Sequence, residues 1–180
     1  LRAPPAADVE AQVLEEYGPI FDAIVKSPKP VMAAVGGVAA GIGLSLALAC
    51  DLVVMADDAA LVAPFSQLGL IPDGGATWLL VQQLGYRRAY QLAIEAERID
   101  ARLALEWGLV NRVEPSDRLL EHTQRWAAEL AERSPVALSA TKQSMRFAAE
   151  SGYFATYAEE ERLQARCAAS PDFREGVAAF

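Results

Sequence analysis

Three places in the chain hold residue types that could do chemistry at the spacing in which they occur. The first is Gly41-Ile42-Gly43, which leads into a run of small and apolar residues at 44–50. A helix opening at these glycines leaves its first amides without intrahelical partners. Glycine lets a ligand come close to such amides, and the helix dipole adds positive potential there. The turn can therefore hold an oxygen that becomes negative as a reaction proceeds, and one such donor is worth roughly 10²–10³ in rate. The same glycines would also let a buried helix pack tightly on a sheet, so a purely structural reading stands beside the functional one. There is no third glycine at the dinucleotide-binding spacing and no Lys-Ser/Thr pair of a phosphate-binding loop.

The second place is Leu70-Ile71-Pro72-Asp73-Gly74-Gly75. Asp73 either caps the helix that follows, a common fate for aspartate after a turn, or is a carboxylate withdrawn from water and able to move protons on a substrate. The third is Gly43-Leu44-Ser45-Leu46-Ala47, a loose imitation of a hydrolase nucleophile elbow with Ser45 as nucleophile. That reading fails on context, because an elbow needs a strand running directly into the serine. The one histidine, His122, reads as a solvated residue of an amphipathic helix rather than a general base. Cys50 and Cys167, the two cysteines, lack any CxxC or Cys/His spacing, so no metal site is expected.

These residues must be positioned by the elements around them. Apolar residues near helical spacing predict a helix over 9–26, kinked or split at Gly18-Pro19 and stopped by Pro28 and Pro30. Residues 31–35 are small and apolar on both faces, as in a buried parallel strand, and Gly36-Gly37 then turns the chain. A helix over 41–50, buried on nearly all sides, and a covered strand at 52–56 complete a strand, glycine turn, helix, strand unit. A long loop at 64–75, rich in proline and glycine, feeds helices at 76–84 and 87–94. Asp100 is placed to N-cap a helix running to Trp107, and 109–113 reads as the last strand. Helices follow over 117–133, 136–150 (opened by Ser134-Pro135) and 153–168.

With 180 residues, 53% of them hydrophobic, the chain can bury one full core with a smaller appended unit. We expect a core over 1–133 and a helical oligomerisation region over 134–180. A net charge of -8, from 24 acidic against 16 basic residues, argues against nucleic acid and anionic membranes as partners. The longest apolar stretch, at 44–56, is interrupted by Asp51 and is too short to span a bilayer, and the first residues lack a signal peptide's apolar core. A cytoplasmic protein is expected, and the absent initiator methionine suggests a segment of a longer one.

The run Lys29-Pro30-Val31-Met32-Ala33-Ala34-Val35-Gly36-Gly37, continued from Gly41 through Ser45 to Cys50-Asp51, closely resembles the signature of the crotonase, or enoyl-CoA hydratase/isomerase, superfamily. Gly69 to Gly75, Trp107-Gly108-Leu109-Val110-Asn111-Arg112-Val113, Ser134-Pro135, Thr141-Lys142 and the final Arg174 to Phe180 continue the match in register. The resemblance implies an α/β fold, a superhelical ββα spiral with a C-terminal helical trimerisation unit, acting on acyl-coenzyme A in lipid breakdown as a homotrimer or dimer of trimers. It implies no cofactor beyond the coenzyme A of the substrate.

It also implies roles. The Ile42 amide, flanked by Gly41 and Gly43, would be one oxyanion donor, while the second would come from a segment before Leu1. The two glutamates used for hydration in the family are absent: Ser45 stands at the first position and Phe65, just after Pro64, at the second. Neither a hydroxyl nor a phenyl ring is a carboxylate base. Asp73, followed by Gly74, matches a loop acid of several branches, among them the ring-epoxide/oxepin-CoA isomerases of phenylacetate breakdown. Isomerisation is therefore expected over hydration, with Asp73 as the acid/base; the alternatives are a hydratase-like member of unknown substrate and a non-catalytic acyl-CoA-binding member. Phe65, Leu68 and Trp78 would line an acyl pocket or belong to the core, and Phe180 matches a position that touches coenzyme A.

Overall fold

The computed structural model describes residues 5–179. Its framework is a stack of short parallel strands. Strand β1 (Met32–Val35) pairs with β3 (Leu52–Ala56), Met32 opposite Leu52, and β3 pairs on its other side with β6 (Arg112–Glu114). A second sheet pairs β2 (Val38–Ala40) with β4 (Ala60–Val62), Val38 opposite Ala60, and β4 runs antiparallel to β5 (Ile99–Asp100). Of the three parallel pairs, β1–β3 and β2–β4 join consecutive turns of the chain, so over this part it advances as a spiral in which each turn lays one strand on each sheet.

Two polar side chains pin the register of the first sheet. Asp51 accepts the Val31 amide through Oδ2 at 2.8 Å while its own amide donates to the Val31 carbonyl at 2.9 Å. Asn111 does the same one strand over, accepting the Val53 amide through Oδ1 at 2.7 Å and donating its amide to the Val53 carbonyl at 2.8 Å. Each closes a ring that fixes where a parallel strand starts, and a slip of one residue would break it. Between them, Val53, Val54, Met55 and Ala56 are buried on both faces, as a covered parallel strand requires.

The long first helix is interrupted. Helix α1 (Ala6–Ala11) passes into a π-helical turn (Gln12–Tyr17) and then α2 (Gly18–Lys26). The expected break at Gly18-Pro19 takes this form because Pro19 offers no amide and its ring crowds the preceding turn. A widened turn, with the Gly18 amide reaching the Val13 carbonyl, relieves the crowding. Helix α3 (Ile42–Ala49) is buried nearly all round: Leu44, Ser45, Ala47, Leu48 and Ala49 are all covered, and the helix touches β2, α2 and α4 (Ala76–Leu84). Helix α5 (Tyr86–Glu95) follows α4 and packs on it.

Helix α6 (Ala101–Glu106) is capped as expected, the Asp100 side chain accepting the Leu103 amide at 2.8 Å. The strand expected over 109–113 begins only at Arg112. Gly108 turns left-handed after the helix, and the Leu109 amide bonds back to the Ala104 carbonyl at 2.9 Å, so Leu109 and Val110 belong to the helix stop. Strands β2, β4 and β5 went unrecognised in the sequence because two or three residues carry no measurable alternation.

The chain divides into two compact units. One contains the chain up to Ser27 and Val31–Thr123, hence all the strands. The other comprises Pro28–Pro30 and the chain from Gln124 onward, and its elements are helical: the end of α7 (Leu119–Ala131), α8 (Pro135–Glu150), α9 (Tyr153–Ala168) and α10 (Pro171–Ala179). Ser134 caps α8 as its position predicts, accepting the Ala137 amide at 3.2 Å and donating to Asp172 at 2.5 Å. Ala140 and Leu163 form the buried seam between α8 and α9.

Candidate active site

Gly41 sits where β2 meets α3, with φ 56° and ψ -124°, a conformation open essentially to glycine alone. Its amide donates to the Val62 carbonyl at 3.2 Å, which carries the β2–β4 ladder up to the turn. The first helical bond of α3 runs from the Ser45 amide to the Gly41 carbonyl at 3.2 Å. The amides of Ile42, Gly43 and Leu44 therefore precede it and have no acceptor within the helix. The Phe65 ring lies 3.9 Å from where a Gly41 Cβ would stand and is only 6% exposed, so it packs beneath the turn.

Phe65 is held by a 3₁₀ turn, Pro64–Leu68, which Pro64 opens and Gly69 closes in a left-handed conformation. Leu68, at 73% exposure, and Trp78, at 41%, face outward within this chain. The apolar groove beside them, about 290 Å³, is instead lined by Leu70, Ile71, Pro72, Tyr86, Tyr90 and neighbours from α4 and α5. Tyr86 and Tyr90 stack there with ring centres 5.7 Å apart.

The loop bearing Asp73 is fixed through its carbonyls. Thr77 Oγ1 donates to the Pro72 carbonyl at 3.2 Å, and the Asp73 carbonyl accepts both the Ala76 amide at 3.0 Å and Ser45 Oγ at 2.9 Å. The Asp73 side chain caps nothing: the N-cap of α4 is Gly75, at φ 82°, and no side chain bonds to that helix end. The Oδ1 atom of Asp73 is buried without a hydrogen-bond partner. Burial pushes its carboxyl above the usual carboxylate range, and a hydrogen bond from its own amide draws it only part of the way back. A carboxyl in this condition can exchange protons with a bound organic acid derivative nearer to neutral pH than a solvated one.

The loop and the turn meet at Gly74. A Cβ added there would fall 2.5 Å from Phe21 Cζ and 3.0 Å from Ile42 Cδ1, so the glycine allows the loop to press against α2 and against the residue that offers the helix amide. The Asp73 loop and Ile42 are thereby brought together, with Gly74 as the backbone that permits it, whereas a Cβ on Gly43 would meet nothing within 4 Å. Phe180 lies outside the described residues.

Two contributors escaped the sequence reading. Phe21 looked like one more core position on a helical stripe. Ser45, set aside as a failed nucleophile, is completely buried and tied to the Asp73 loop; a lone hydroxyl in an otherwise apolar helix was its only signal. His122 is not a solvated face residue: its Nδ1 lies 2.5 Å from Glu114 Oε2 and the pair is partly buried, at the end of β6. The Ser45 hydroxyl lies within hydrogen-bond reach of the carbonyls of Asp73, at 2.9 Å, and Gly41, at 3.3 Å, and among the described residues no Ser–His pair forms. Among the described residues no cluster of three or more His, Cys, Asp or Glu could hold a metal ion.

Comparison with known proteins matches residues 5–180 to the sequence model of the family described as Enoyl-CoA hydratase/isomerase. The chain belongs to the enoyl-CoA hydratase/isomerase family. It is 42% identical over 173 residues to a probable enoyl-CoA hydratase of Rhodobacter capsulatus, covering 96% of this chain and 67% of that protein. It is equally 42% identical, over 177 residues, to the 1,2-epoxyphenylacetyl-CoA isomerase of Escherichia coli, covering 98% and 67%. A crystal structure of an enoyl-CoA hydratase from Polaromonas superposes with a TM-score of 0.92 at 40% identity, over 97% of this chain and 68% of that one. The crotonase fold expected from the signature is thus the fold observed, and this chain spans about two thirds of the length of these family members. No described helix is long and apolar enough to cross a membrane.

Proposed function

We propose that this member of the family isomerises the double bond of an acyl-CoA through a thioester enolate, with Asp73 as the proton shuttle and the Ile42 amide as an oxyanion donor. The observation that carries the reading is the buried, partnerless Oδ1 of Asp73 on a loop pressed against the turn that presents Ile42. In a 3-enoyl thioester the Asp73 carboxylate removes a proton from the carbon alpha to the thioester. The C–H electron pair moves into the conjugated enolate, whose oxygen lies at the Ile42 amide. The same carboxylic acid then returns the proton to the gamma carbon, the enolate collapses, and a 2-enoyl thioester leaves. Protons balance, and the single negative charge passes from the carboxylate to the enolate oxygen and back.

Support for isomerisation over water addition comes from Ser45 and Phe65, which stand where the family's hydratases carry glutamates. The Ser45 hydroxyl directs its one hydrogen at backbone carbonyls and the Phe65 ring is packed under the turn, so neither supplies a base to activate water. A second reading, addition of water to a 2-enoyl thioester, is favoured by the likeness to the probable enoyl-CoA hydratase. Gly41, Gly43 and Gly74 would let the thioester approach the backbone, Pro64, Phe65, Leu68 and Trp78 would border the acyl group, and Phe180 would reach coenzyme A. The proposal extends to a cytoplasmic homotrimer or dimer of trimers that needs no added cofactor.

The test is turnover of 2-enoyl-, 3-enoyl- and aromatic-ring acyl-CoAs by the purified protein and its Asp73→Asn variant. The expected outcome is double-bond migration in the 3-enoyl substrate, reduced at least 10³-fold by the substitution while the circular dichroism spectrum is kept. Undiminished turnover in the variant would remove Asp73 from the mechanism, and water addition without migration would favour the second reading.

A further inference from the structure

Ser45 is the one polar side chain in the wholly buried part of α3, with no solvent exposure at all. Its hydroxyl lies 2.9 Å from the Asp73 carbonyl and 3.3 Å from the Gly41 carbonyl. It has a single hydrogen to give, and the shorter contact, to Asp73, spans 28 positions in sequence. Gly41 immediately precedes the residue that offers the oxyanion amide, and Asp73 is the acid. The hydroxyl therefore sits between the two halves of the site.

Stability alone does not demand it. The Asp73 carbonyl also accepts the Ala76 amide at 3.0 Å, and the Gly41 carbonyl also accepts the Ser45 amide at 3.2 Å. Removing the hydroxyl orphans neither carbonyl, so the group is redundant for satisfying buried backbone. What the backbone bonds do not provide is a link between loop and helix: one lies within the loop, the other within the first turn of α3. Besides Ser45, the contact between them at Gly74 is van der Waals, with Phe21 and Ile42. Such contacts set a distance of closest approach, whereas a hydrogen bond between two rigid pieces also sets direction.

We infer that Ser45 is a positioning residue for the reaction proposed above: its hydroxyl fixes the Asp73 loop relative to the Gly41-Ile42 turn, and so aims the carboxylate at the carbon whose enolate oxygen the Ile42 amide holds. The inference rests on that reading of Asp73. A misplacement of about 1 Å in such a pair costs on the order of 10²-fold in rate, while groups that only bind substrate are untouched.

Four proteins test it: wild type, Ser45→Ala, Asp73→Asn and the double variant, assayed for 3-enoyl-CoA isomerisation with kcat and KM determined separately. Ser45→Ala is expected to lower kcat by 10- to 100-fold with KM within about twofold, since the contacts to the thioester and coenzyme A remain. The double variant is expected to be no slower than Asp73→Asn alone, because an effect exerted through the carboxylate vanishes once the carboxylate is gone. A merely structural role would instead add its loss to that of Asp73→Asn. Ser45→Cys, which keeps the volume and donates more weakly, should fall between serine and alanine and serves if the alanine variant fails to fold. An inactive Asp73→Asn beside a Ser45→Ala with wild-type kcat overturns the positioning role and leaves the isomerase reading standing. An active Asp73→Asn overturns both.

Discussion

At the scale of single residues, the decisive feature is a carboxyl that burial holds protonated to higher pH than usual. In the proposed role of base it works only when ionised, so kcat/KM should rise through an acid limb lying above the ordinary carboxylate range. The same shift has a consequence for stability. Between the ordinary value of 3.8 and the raised one, the folded chain retains a proton that the unfolded chain has lost. Stability from this group is therefore complete below the ordinary value and declines as pH rises through the raised one. Asparagine at the position does not titrate. The melting temperature of Asp73→Asn minus that of wild type should grow from acid toward neutral pH and then level off, measured by calorimetry across that range. A difference that shrinks with rising pH would contradict the burial assigned to Asp73.

At the scale of elements, the site is a meeting of two short glycine-rich segments, each held by a neighbouring helix or strand. Gly74 is the contact point. Gly74→Ala would place a methyl 2.5 Å from the Phe21 ring and in a left-handed backbone conformation, at φ 58°. Forced packing of this kind costs about 1–3 kcal/mol, and a loop that relieves it by shifting moves Asp73 away from Ile42. The variant should lose isomerase activity by at least tenfold, and adding Phe21→Ala should restore part of it by opening space. Full activity in Gly74→Ala would mean that the loop does not depend on this approach. Helix ends were legible in the sequence because their signals are local: Asp100 and Ser134 cap as their types and positions imply. The short strands β2, β4 and β5 were not, because they exist only through pairing with distant segments.

For the molecule as a whole, the helical unit presents a large exposed apolar surface. Tyr153, Phe154 and Tyr157, at the start of α9, are 75%, 84% and 61% exposed, and the Tyr153 ring contacts the other two. Contiguous aromatic surface of this kind is commonly covered by a partner. Light scattering of the purified protein is expected to give the mass of a trimer or of two trimers, and Phe154→Glu should shift it toward the monomer. A monomer with wild-type sequence would dismiss the proposed assembly. The net charge of -8 does not choose the symmetry of such an assembly.

The amino-acid sequence by itself determined the strands β1 and β3 before and after α3 and the glycine turn at Gly41, and through the resemblance its motifs carry it determined the family and pointed to Asp73 as the candidate acid. The strands and the turn follow from residue type and short spacing, which act within a few positions of themselves, whereas the family and the role of Asp73 follow from the resemblance. Only the tertiary structure decided that Asp73 caps no helix, that its Oδ1 is buried without a partner, that Phe21 and Ile42 confine Gly74, and that Ser45 bridges two halves of one site. Burial and hydrogen bonding between Ser45 and Asp73 depend on segments 28 residues apart being brought together by strand register. No local pattern in either segment encodes the meeting.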